Sequence, residues 1–218
     1  MEATRPRPYD MTLRARRAAE TTDRIVRVTE ALLLEVPLAE VTLKAIAAGA
    51  EVTVQTVLRH MGSRDGCLEA VAVRLGERVA EQRGASAPGD VDGAIAGLVD
   101  HYEADGRLVL NLLAQEGGGE PLARRAAEVG RAFHRDWVRR CFALWLGDAD
   151  DAGEVRGRVD AGEVRERVDA GEVRERVDAL VVATDLYVWK LLRLDLGRSR
   201  EATEGVLRHL VTAVLEAR

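Results

Sequence analysis

The apolar residues of this 218-residue chain recur at intervals of three and four and rarely alternate. Side chains three or four apart share one face of an α-helix, whereas a half-buried strand alternates in and out. The pattern predicts an all-α protein of about nine helices and no sheet. Caps and breakers mark the ends. The first helix is expected to start after Thr21 or Thr22, to bury Ile25, Val28, Leu32 and Leu33, and to stop at Pro37. Thr42, Thr53 and Ser63 stand ahead of the next three apolar runs as N-caps, with Asp65 complementing the dipole of the fourth helix. That helix runs on through Cys67, Leu68, Val71, Leu75 and Val79 to a linker, GASAPG, at 84–89.

Beyond the linker, helices are expected at 91–102 and 108–113, the second stopped by EGGGEP. Pro121 suits the first position of a long helix with Leu122, Ala126, Val129, Phe133, Trp137, Cys141 and Trp145 inward. The segment 178–194 is apolar on two sides, with Leu180, Thr184, Tyr187 and Leu191 on one and Val182, Leu186 and Trp189 on the other. Such a helix is buried from two directions. Ser199 caps the last helix, which carries Val206, Leu207, Leu210, Val211 and Val214.

A nine-residue unit, DAGEVRGRV, then DAGEVRERV twice, fills 151–177. Nine residues turn an α-helix by about two and a half turns, so successive valine pairs point to opposite sides and no stripe forms. Glu154–Arg158, Glu163–Arg167 and Glu172–Arg176 favour local helix at i,i+4. The repeat reads as a polar insertion, helix or loop, leading into a helix at Asp178.

The net charge of −5 hides an asymmetry. Residues 1–68 hold 10 Lys/Arg against 9 Asp/Glu, and the remaining 150 hold 22 against 28. Residues 1–19 are expected to be a flexible basic arm, 20–66 a DNA-binding domain and 67–218 a helical domain. No signal peptide and no apolar run long enough to span a bilayer is seen, so a cytoplasmic protein with no membrane partner is expected. Cys67 and Cys141 read as reduced core cysteines. His60, His101, His134 and His209 show no metal-ligand spacing, EGGGEP lacks the Gly-Lys-Ser/Thr of a phosphate loop, and no Ser/His/Asp set is identifiable. Neither metal nor cofactor nor enzymatic activity is expected.

Residues 42–49, a turn at 50–52, and residues 53–61 have the proportions of a helix–turn–helix. Ile46, Ala47, Val52, Val57 and Met61 hold the pair together and leave Val54, Gln55, Thr56, Arg59 and His60 outward. Gln pairs with an adenine edge and Arg with guanine, while a capped helix start suits a phosphate. The same residues also fit an ordinary solvated helix.

The stretch resembles the N-terminal domain of the TetR (tetracycline repressor) family of bacterial transcription regulators. Thr42, Ile46, Ala47, Ala50, Val52, Thr53, Thr56, Val57, His60, Ser63, Arg64 and Asp65 stand at the matching spacings. Glu51 replaces the usual turn glycine, Leu58 a tyrosine, Met61 a phenylalanine and Cys67 a leucine. The resemblance implies that Thr42, Thr53, Thr56, His60 and Arg64 position the DNA backbone while Gln55 and Arg59 read bases. Arg14, Arg16 and Arg17 either reach an adjacent minor groove or form a plain tail.

The resemblance further implies a homodimer on a double-stranded palindromic operator, and a small-molecule inducer of unidentified structure. Val182, Leu186, Trp189, Leu207, Leu210 and Val214 are the expected dimer face. Phe133, Trp137, Cys141, Trp145, Tyr187 and Trp189 line a ligand pocket or simply fill the core. The competing reading is an all-α ligand-binding or protein-interaction module with a decayed DNA-reading head, suggested by Glu51 and Leu58.

Overall fold

The computed structural model describes residues 8–146 and 170–217. Among them every regular element is helical, in ten α-helices rather than about nine. The chain divides into two compact units. The first takes the described residues up to Glu77 together with Asn111–Ala126, and the second takes Arg78–Leu110 and the chain from Ala127 onward.

In the first unit, α1 (Pro8–Glu35) leads through a 3-10 turn at Leu38–Glu40 to α2 (Leu43–Gly49), α3 (Val54–Met61) and the start of α4 (Arg64–Gly84). Ile25, Leu33, Leu38, Val41, Ile46, Val57 and Leu68 form its core. The approach of α2 to α1 is close, since a Cβ on Gly49 would lie 2.7 Å from Val28 Cγ1. Helix α1 begins well before Thr21, so the arm expected to be flexible through residue 19 is helical from Pro8. The segment is rich in Ala, Arg and Leu, all strong helix formers. An Arg16–Glu20 pair at 3.1 Å bridges one turn of it.

The second unit contains the rest of α4, α5 (Val91–Ala114) as far as Leu110, α6 (Pro121–Cys141) from Ala127, α7 (Ala143–Leu146), α8 (Ala170–Ala183), α9 (Leu186–Lys190), a π-helical turn Leu191–Asp195 and α10 (Arg200–Glu216). Helices expected at 91–102 and 108–113 are one continuous α5. Gly106 does not break it; the glycine makes room for Trp189, whose ring carbon would sit 2.8 Å from an added Cβ. The 84–89 linker joins α4 to α5, and the Gly89 N–H donates to the Cys141 carbonyl at 2.9 Å.

Two further expectations need correction. Val129 is 63% exposed, because α6 turns Ala123, Ala127, His134, Trp137, Val138 and Cys141 inward instead. A small-residue and histidine stripe outcompetes the face that apolarity alone suggests. The segment 178–194 is also not one helix. Asp185 accepts the Tyr187 N–H at 2.8 Å and starts α9 afresh, which resets which side chains face inward.

The last copy of the nine-residue repeat is part of this fold from Ala170 on, eight residues before the expected start. Val173 and Val177 are buried, and Arg176 donates to the Trp145 and Ala217 carbonyls, both at 3.1 Å. The first two copies and Asp169 lie outside the described residues. No helix among the described residues is long and apolar enough to cross a membrane.

Candidate functional site

The α2–turn–α3 segment is built by its caps. The Thr42 hydroxyl accepts from the Ala45 N–H at 3.2 Å, and the Thr53 hydroxyl accepts from Thr56 N–H at 3.1 Å. Each satisfies a backbone donor that a helix start leaves over. At the end of α2 the Val52 N–H reaches the Ala47 carbonyl (3.0 Å) and the Glu51 N–H reaches Ala48 (3.2 Å). This paired arrangement places the intervening residue in the left-handed region, the usual position of glycine. Here Glu51 occupies it with φ 53, and it is the non-glycine residue of positive φ among those described. The residue that replaces the usual turn glycine thus adopts the backbone conformation that favours glycine.

Helix α3 turns Val57, which is fully buried, toward the core of the first unit. Thr53, Val54, Gln55 and Arg59 are exposed, and Thr56 is half-buried with its hydroxyl 3.0 Å from that of Thr53. These residues form one polar surface with the N-terminal N–H groups of α3, the kind of surface that fits a phosphate and a base edge together. Thr42 and Lys44 are exposed on α2 nearby in sequence.

Two residues assigned to DNA by resemblance are committed elsewhere. His60 Nδ1 lies 2.9 Å from the Thr22 hydroxyl on α1. The Arg64 guanidinium donates from Nε to the Val41 carbonyl at 2.7 Å and from Nη2 to that of Leu38. It also lies 3.9 Å from Glu120. Both side chains hold the elements that present α3: His60 ties it to α1, and Arg64 caps the Val41 carbonyl and joins the Val41 N–H (3.2 Å) on that of Leu38.

In the second unit the six aromatic and cysteine residues expected at a pocket are dispersed. Trp137, Cys141 and Trp189 are buried, Phe133 and Trp145 are half-buried, and Tyr187 is exposed. Trp137 packs edge-on against Phe142 at 6.0 Å, whereas Trp189 packs on Tyr102 at 5.8 Å and donates to Glu103 at 3.0 Å. Of the expected dimer face, Leu186, Trp189 and Leu207 are buried in the core of their own chain, the first two on the helix that Asp185 starts afresh. Val182, Leu210 and Val214 instead line an open apolar groove of about 440 Å³ together with Asp178, Ala179, Ala183 and Val188. Val182 is 66% exposed there.

A buried polar cluster was not foreseen. Arg83, 3% exposed, lies with its guanidinium carbon 5.1 Å from the ring centroids of both Tyr102 and Trp137 and 5.9 Å from that of Phe133. Its Nη1 donates to His134 Nδ1 at 2.9 Å. A guanidinium has no acceptor, so Nδ1 carries no hydrogen and the imidazole is neutral with its proton on Nε2. That N–H points to Thr184 Oγ1 at 3.2 Å, and the Thr184 hydroxyl in turn donates to the Leu180 carbonyl at 2.6 Å. Burial first, then the Arg83 charge, holds His134 down to about 3. No periodicity marks Arg83 in an arginine-rich chain; its partners come from two other helices, His134 being 51 residues away.

Residues 25–71 match the family model described as bacterial regulatory proteins, tetR family. No curated protein matches the chain. Among solved structures it is similar to the crystal structure of the TetR family repressor AlkX from Dietzia sp. strain DQ12-45-1b, implicated in biodegradation of n-alkanes. That likeness has 17% identity and a TM-score of 0.42 over 89% of this chain and 95% of the other. The capped helix–turn–helix lies inside the matched segment, so residues 25–71 are a DNA-binding head of the tetR-family type.

Proposed function

We propose that the chain is a ligand-responsive repressor that binds a roughly palindromic operator as a homodimer. The observation that carries the reading is the exposed polar face of α3, with Gln55 and Arg59 outward and Val57 locked behind. Gln55 and Arg59 read base edges in the major groove, while Thr42, Thr53, Thr56 and the first N–H groups of α3 hold phosphates. Val54 contacts thymine methyls or the sugar edge. His60 and Arg64 act one step back, as braces.

A second copy of the chain covers the apolar groove between α8 and α10. A two-fold axis through it sets the Val182, Leu210 and Val214 surface of one protomer on the same surface of its partner. Such a dimer presents two α3 helices to half-sites about 34–36 Å apart. An inducer acts by favouring a state of the dimer whose heads no longer match that spacing.

The test is footprinting on the DNA flanking the chain's own gene, with sedimentation in parallel. Salt-sensitive protection of a palindrome by a dimer is expected. Arg59→Ala relaxes base preference and costs about 1–3 kcal/mol of discrimination, whereas Val182→Glu with Leu210→Glu yields monomers that protect nothing. Nonspecific binding alone, or a wild-type monomer, sinks the reading.

A further inference from the structure

We propose that the Arg83 cluster binds the carboxylate of the inducer, so that the effector is an organic acid with an apolar body. The inference rests on the reading of the chain as ligand-responsive and adds the chemical class of the ligand.

The argument begins with charge. Arg83 is a permanent cation at 3% exposure, and among the described residues no carboxylate forms an ion pair with it. Asp105, the buried acid of the second unit, is engaged by Arg78 at 2.6 Å and lies 3.8 Å from His101. The neutral His134 accepts one hydrogen bond but offers no negative charge. Three aromatic faces offset part of the cost of burying the guanidinium. A charge kept dry without a counter-charge is nonetheless expensive, and apolar replacement at such a position tends to stabilise a fold. A ligand that brings the missing charge explains why an arginine stands there.

Unpartnered donors narrow the ligand further. Arg83 Nε and Trp137 Nε1 are buried and have no hydrogen-bond partner. They belong to side chains stacked 5.1 Å apart. Two N–H donors beside one positive charge match the two oxygens of a carboxylate. A phosphate or sulfate would leave further oxygens dry. Around the guanidinium Tyr102 and Phe133 supply an apolar wall for the body of the molecule, and Trp189 packs on Tyr102 at 5.8 Å.

The same place in the fold can yield. Helix α8 stops at Ala183, and the Val188 and Trp189 N–H groups go to the Asp185 carbonyl. The Thr184 carbonyl is thereby left to the Tyr102 hydroxyl, at 2.9 Å. A carboxylate drawn to Arg83 competes with His134, which is hydrogen-bonded to Thr184 beside the break, and so acts on the helix pair that lines the dimer groove.

The experiment uses the full-length protein with benzoate, phenylacetate and decanoate, each paired with its uncharged amide. Tryptophan fluorescence and thermal melting report binding, and gel retardation reports release of DNA. At least one acid should bind saturably, raise the melting temperature and release DNA, while its amide does none of these. Arg83→Met should lose the acid response by about tenfold or more in affinity. If that variant does not fold, Trp137→Phe removes one donor and should weaken the acid severalfold without touching the amide. Equal binding of acid and amide, no response to any of the acids, or an unchanged response in the variants overturns the proposal. Normal DNA retardation without an acid effect overturns this inference alone. Failure of the ligand-free protein to bind DNA overturns the repressor reading, while acid-specific binding would still support the site.

Discussion

His60 Nδ1 lies 2.9 Å from the Thr22 hydroxyl, which ties the back of α3 to α1 while Gln55 and Arg59 face out. The Thr22 hydroxyl also lies 3.1 Å from the Ala18 carbonyl. A hydroxyl has one hydrogen, and with it given to Ala18 the imidazole supplies its own Nδ1–H to Thr22. His60→Ala is expected to cost about 1 kcal/mol in urea denaturation and to weaken binding to every DNA sequence by a similar factor. Thr22→Val should reproduce both effects, and the double variant should add little to either. A change of sequence preference in His60→Ala would instead make it a base reader.

Glu51 sits at φ 53 in a turn whose hydrogen bonds fit glycine. A side chain with a Cβ in the left-handed region costs about 1–2 kcal/mol. Glu51→Gly relieves this and removes a negative charge close to α3. The expected outcome is a stability gain of about 1 kcal/mol and tighter operator binding, most visible at low salt. Thermal melting with salt-dependent gel retardation checks it. If the substitution destabilises, the loss of backbone entropy in the unfolded chain is the larger effect.

The sequence made the DNA-facing head legible because its signals are local. Thr42, Thr53 and Ser199 cap the helices expected of them, and Pro121 opens α6. The sequence says less where distant contacts decide. His60 and Arg64 match a DNA-binding pattern in the sequence but are held by Thr22 and by the Leu38 and Val41 carbonyls, which only packing brings near. Asp185 was itself a readable cap, but a continuous apolar pattern from 178 to 194 concealed it. Arg83 carried no signal, since burial of a cation depends on partners from α5 and α6.

Arg64 separates bracing from DNA contact most directly. Arg64→Ala removes the donor of the part-buried Val41 carbonyl and leaves the Leu38 carbonyl with the Val41 N–H alone, a loss of about 1–3 kcal/mol. Lysine cannot restore it, because an ammonium lacks the planar fork that spans two acceptors. Chemical denaturation of Arg64→Ala and Arg64→Lys should therefore show similar destabilisation. Unchanged stability with a shallower salt dependence of DNA binding would mark Arg64 as a phosphate contact.

The buried His134 makes stability depend on acidity in a predictable direction. Its pKa is lowered from 6.5 to about 3 by burial and by the Arg83 charge, and that of His101 is lowered as well, again chiefly by burial. Between these values the unfolded chain takes up a proton that the folded chain refuses. For His134 the stability is therefore intact above about pH 6.5 and is lost as the pH falls toward 3, at up to about 1.4 kcal/mol per pH unit, and His101 adds a loss of the same sign. Glu103 and Asp105, whose pKa values are also lowered, add their losses only below the ordinary carboxylate range of about 4. Urea unfolding between about pH 7 and 5 thus isolates the histidines. His134→Gln keeps an acceptor for Arg83 and a donor for Thr184 but cannot titrate. It should flatten the slope between about pH 6 and 5, leaving only the contribution of His101. Identical slopes in the two proteins would mean that His134 does not stay neutral beside Arg83.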